Sequence, residues 1–77
     1  MNEPIIQSKI MHKVKVHPVE SGRPVYSKVK LEKKFETAIE AKWYIDRFNE
    51  TVLKEAGKEI ARAVYVGKVD RVTGELL

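Results

Sequence analysis

The stretch Lys9-Ile10-Met11-His12-Lys13-Val14-Lys15-Val16-His17 decides the fold, because it alternates with a period of two. Ile10, His12, Val14 and Val16 fall on one side, and Lys9, Met11, Lys13, Lys15 and His17 on the other. That is the pattern of a strand with one apolar and one polar face. Pro18-Val19-Glu20-Ser21-Gly22-Arg23-Pro24 then reads as a turn, having two prolines, a glycine and a serine. From Val25 to Phe35 the alternation resumes. Val25, Ser27, Val29, Leu31, Lys33 and Phe35 make one side, and Tyr26, Lys28, Lys30, Glu32 and Lys34 the other.

A hairpin that brings the two apolar sides together sets even positions of the first strand against odd positions of the second. One such register pairs Val16 with Val25, His12 with Val29 and Ile10 with Leu31. The opposite face then carries Lys13 beside Lys28 and Met11 beside Lys30, where like charges directly opposite oppose pairing. Upstream, Met1 to Ser8 shows no periodic pattern and reads as a flexible N-terminal arm, either a tail or an edge-covering segment; residues 9–77 are expected to form a single small domain.

Thr37 is placed to cap a helix, with Glu40 three residues on completing a capping box. Ala38, Ala41, Ile45, Phe48, Val52 and Ala56 recur at three- and four-residue steps, with Tyr44 and Leu53 bordering the stripe, and Gly57 is the natural stop. The helix is expected over Ala38 to Ala56. Ile60 to Val69, around Val64-Tyr65-Val66, reads as a third strand. Asp70 to Gly74 reads as a turn that folds Glu75-Leu76-Leu77 back as a short stub. The fold class is α+β: an antiparallel sheet of three to four strands in the order β-β-α-β, with one helix packed on one face. If the third strand is central, Ala61, Ala63 and Tyr65 face outward beside the lysines.

The chain has 77 residues, with 15 lysines and arginines against 11 acidic residues and no cysteine. A disulfide scaffold, a thiolate metal site and a cysteine nucleophile are excluded, and a reducing cytoplasm is the expected home. No apolar run has the length of a membrane span. The positive excess lies early: residues 1 to 34 carry eight basic and three acidic side chains, residues 35 to 77 seven and eight. Lys13, Lys15, Lys28 and Lys30 on one face, with Tyr26 to stack on, form a candidate nucleic-acid-binding surface of low sequence specificity. The competing expectation is a solvated sheet face whose lysines deter edge-to-edge association.

A second surface comes from the helix. With Ile45 at the centre of the buried stripe, Ile39 lies about 120° and Trp43 about 160° around the helix axis. They stand one turn apart on the solvent side, with Arg47 a further turn on. Ile39, Trp43 and Arg47 are therefore a candidate partner-binding site, since Trp and Arg dominate interface hot spots. The alternative is that Ile5 and Ile6 of the arm fold across and bury the pair.

Catalytic chemistry is not legible. His12 and His17 fall on opposite faces of a strand, which defeats a shared metal ion. His12, on the apolar side, reads as a hydrogen-bonded residue at the core's edge. Glu36, Glu40 and Glu50 are spread around an exposed helix, Ser8, Ser21 and Ser27 lie in no nucleophile elbow, and the glycines form no phosphate loop. No catalytic residue, metal, cofactor or small-molecule substrate is expected. The expected function is a small non-enzymatic interaction module that binds a protein partner or itself stoichiometrically. Accessory regulators and inhibitors, phage-encoded ones among them, are the model for such a chain; nucleic-acid binding by the hairpin is the alternative.

Overall fold

The computed structural model describes residues 9–77; the expected arm over residues 1–8, with Ile5 and Ile6, lies outside them. Five elements follow one another: β1 (Ile10–Glu20), β2 (Arg23–Pro24), β3 (Leu31–Phe35), α1 (Ala38–Ala56) and β4 (Ala61–Asp70). The class is α+β, an antiparallel four-stranded sheet with one helix against it, as the alternation and the helical stripe require.

The long strand β1 is central. It pairs with β4 along one edge and with β2 and then β3 along the other. Which edge each backbone group serves can be read from the hydrogen bonds. The carbonyls of Val16 and Pro18 accept from Lys30 and Val25, toward β2 and β3, whereas the Val19 amide donates to Ile60 and the Lys9 carbonyl accepts from Arg71, toward β4. Even positions of β1 thus bond to β2 and β3, and odd positions to β4, as antiparallel pairing demands.

The hairpin keeps the expected face parity but slips in register. Val16 faces Leu31, His12 faces Phe35 and Lys13 faces Lys34, six residues from the expected pairing of Val16 with Val25 and Lys13 with Lys28. The turn is tighter than Pro18 to Pro24. Ser21 and Gly22 both take positive φ, 54° and 76°, the two-residue hairpin geometry that matches strand twist. Pro18 stays in β1 opposite Ala61, and Pro24 opposite Val19. The chain leaves the ladder at Val25, turns through a Lys28 N–H to Val25 carbonyl bond of 3.1 Å, and rejoins at Lys30. Residues 25–30 are therefore an excursion from the sheet and not strand.

The helix begins and ends where its caps put it. The Thr37 Oγ1 accepts from the Glu40 amide at 3.2 Å, and Gly57 at φ 72° donates its amide to the Leu53 carbonyl at 3.0 Å. Its apolar stripe meets the even face of β1 and the first half of β4. Val14, Val16, Ala41, Ala61 and Ala63 form the buried cluster, and Phe35, Tyr44, Ile45 and Phe48 close over it. The expectation of outward-facing Ala61 and Ala63 depended on a central third strand. That strand lies at the edge, and both alanines are small enough to let the helix approach. Between Lys13–Gly67 and Val14–Tyr65 the register shifts by one residue, a bulge at Val66 beside Gly67, whose φ of 139° suits glycine. Beyond it Val69, opposite Met11, turns to the face away from the helix and is buried there. The expected stub is a single bridge, Val69 to Leu76.

Candidate functional site

On the helix, the side chains picked out from the periodicity stand where expected. Ile39 is 58% and Trp43 64% exposed, and Arg47 is exposed one turn further on. A shallow depression on this face is lined by Trp43, Tyr44, Asp46, Arg47 and Glu50. Its charges are mixed: Asp46 and Glu50 flank Arg47, and Glu50 pairs with Lys54 at 3.0 Å. Tyr44 marks the boundary with the interior, its ring against Phe35 and Phe48 and the Lys33 ammonium 5.0 Å from its centroid. Burial raises the Tyr44 hydroxyl pKa above its ordinary value.

The basic face is rearranged by the register slip. Lys13 and Lys15 do share the sheet face away from the helix, but their neighbours on β3 are Lys34 and Glu32. Glu32 binds the Lys13 ammonium, whose side chain is only 16% exposed. That hydrogen bond, helped by the charges of Lys13, Lys15 and Lys34, holds the Glu32 carboxyl below the usual carboxylate range. Lys28 and Lys30 do not extend the row as paired strand residues: Lys28 lies in the excursion, and Lys30 marks the return to β1. Lys33 points to the helix side. The expected row of four cations is thus a shorter group with a carboxylate inside it.

Tyr26 has a structural task. Its ring meets the His17 ring edge-on at 5.1 Å, and His17 Nδ1 lies 2.7 Å from the Lys28 carbonyl oxygen. His17 is 4% exposed, the buried polar residue of the described chain, so the excursion 25–30 closes over one end of the sheet's open face. His12, on the opposite face, lies at the core's edge as expected, its Nδ1 2.9 Å from the Tyr65 hydroxyl. The two histidines remain apart, and among the described residues no cluster of three His, Asp or Glu side chains could hold a metal ion. No helix among them is long and apolar enough to cross a membrane.

One residue that acts on the sheet was not singled out from the sequence. Asn49 accepts from the Ala63 amide at 2.8 Å and donates Nδ2 to the Ala63 carbonyl at 3.3 Å, standing in for a missing neighbour strand. A signal was present, since Asn49 falls about 40° from Ile45, inside the apolar stripe, where a side-chain amide requires a partner.

Comparison with protein-family models, with curated proteins and with solved structures finds no match for this chain.

Proposed function

We propose that the protein is a non-enzymatic binding module that holds a protein partner on the outer face of α1, through Ile39, Trp43 and Arg47. One observation carries the reading: the chain's single tryptophan stands 64% exposed beside an exposed isoleucine on a helix whose opposite side already packs the core. A large indole lining a mixed-charge depression is the composition of an interface hot spot, in which an aromatic anchor is desolvated and charges around it set orientation. The carboxylate among the lysines weakens the field that the alternative, nucleic acid on the hairpin, would draw on.

The test is capture from the native cell by the tagged chain and by its Trp43→Ala variant, washed at low and then high salt. The reading predicts a protein retained through the high-salt wash by the parent and lost by the variant, whose thermal stability stays within about 0.5 kcal/mol of the parent. Retention of the same protein by both, or release of nucleic acid alone at high salt, would overturn it.

A further inference from the structure

Among the described residues, the outer edge of β3 is an unpaired strand template. Val16, Val14 and His12 turn their backbone groups toward Leu31, Lys33 and Phe35, so the amides and carbonyls of Glu32 and Lys34 point the other way, off the sheet. Outside the helix and the strand ladders, no backbone hydrogen bond among the described residues reaches them. The helix lies mainly over β4, and Leu31 is 42% exposed on the helix side of this edge.

We infer that β3 pairs antiparallel with β3 of a second copy of this chain about a two-fold axis at Lys33, making one continuous sheet through the dimer. Symmetric pairing must set outward-facing residues against each other, and three registers do so. Glu32 against Glu32 and Lys34 against Lys34 each oppose like charges. Only the register centred on Lys33 sets Glu32 against Lys34 of the second copy, and does so twice. Each of these pairs closes with two reciprocal backbone hydrogen bonds. On the helix side Leu31 then meets Phe35 of the second copy, an aliphatic–aromatic pair of the close, non-hydrogen-bonded kind. Lys33 faces its own symmetry mate, but its ammonium is drawn aside over the Tyr44 ring. A C2 contact of this kind is self-complementary and closes, so it ends at a dimer and does not propagate. It is independent of the helix-face reading, because Trp43 lies on the far side of α1.

The experiment is sedimentation equilibrium on the full chain and two charge variants. The parent is expected to show a concentration-dependent rise from monomer to dimer mass. Glu32→Lys and Lys34→Glu, each of which opposes like charges at both symmetric pairs, weaken association by roughly tenfold or more. An equimolar mixture of the two variants restores it, since both pairs between positions 32 and 34 in the heterodimer are then opposite in sign. A second variant needs no charge change at the pairs. The chain has no cysteine, and Lys33→Cys would place two sulfurs across the axis at a Cα separation of about 4.5 Å, within disulfide reach. It should cross-link on mild oxidation, whereas Lys34→Cys should not. A parent that stays monomeric to about 1 mM, a mixture that fails to recover, or absence of the Lys33→Cys cross-link would each overturn the inference. Loss of association in Trp43→Ala would reassign the contact to the helix face.

Discussion

The two edges of this sheet are finished differently. Along β4 outward backbone groups at three positions are answered from within the chain: Asn49 takes both the amide and the carbonyl of Ala63, Leu77 donates to the Lys68 carbonyl, and the Asp70 amide donates to Glu75. Tyr65, between these two coverings, adjoins the bulge, which breaks the regular spacing that an incoming strand would need. Along β3 the groups of Glu32 and Lys34 have no neighbouring strand among the described residues. The contrast separates two solutions to the same problem. An edge is either closed with side chains and a returning tail, or guarded by charges whose order decides which strand is admitted.

The largest effect is expected from removing the plug. Asn49→Ala leaves the amide and carbonyl of Ala63, a residue only 3% exposed, without partners, at a cost of about 1–3 kcal/mol. For a domain of this size that lowers the Tm by several degrees or more, read by thermal denaturation. Asn49→Asp sharpens the comparison, because it can still accept from the Ala63 amide but sets an acceptor against the carbonyl. It should fall between parent and alanine variant at neutral pH. If Asn49→Ala unfolds at the parent's temperature, the edge is not held closed in this way.

A smaller effect is expected from acid at the other end of the same edge. Asp70 accepts from the Thr73 and Val72 amides at 2.9 and 2.8 Å, and these bonds hold its carboxyl below the ordinary aspartate range. A depressed folded-state pKa contributes stability that is fully present above the unfolded value, about 3.9, and is lost as pH falls through the lower folded value. The turn that returns Glu75 to Leu77 to β4 should therefore loosen below about pH 4. Glu32, depressed by Lys13, is lost over the same direction of titration. Amide chemical shifts of Val72 and Thr73 followed down the pH scale check this, and an Asp70→Asn variant should remove the Asp70 step. Shifts that move only above pH 5 would contradict the assignment.

What could be read in advance follows from which features are local. The helix was legible to the residue, since Thr37, Glu40 and Gly57 act on backbone groups within a turn of themselves. Strand β1 and the side on which its valines pack were legible too, because alternation reports burial directly. Register was not. Any even slip preserves the faces, so Val25, Tyr26 and Val29 fitted a strand as well as an excursion, and only the Ser21-Gly22 turn with the return at Lys30 chooses between them. That slip dispersed the lysine row at Lys28 and Lys30 while leaving Lys13 and Lys15 in place. The helix-face trio Ile39, Trp43 and Arg47 depended only on helical geometry, and it stands exposed as the wheel requires. Strand order and the Asn49 plug depend on contacts distant in sequence, and the one hint of them was a polar residue inside an apolar stripe.

Hydrogen exchange followed by NMR over a range of protein concentrations tests the contrast between the edges most directly. The Ala63 and Asp70 amides are expected to be protected to the same degree at every concentration. The Glu32 and Lys34 amides should exchange freely in dilute solution and gain protection together as concentration rises. Protection of Glu32 and Lys34 that is already complete on dilution, or that never appears, would contradict it.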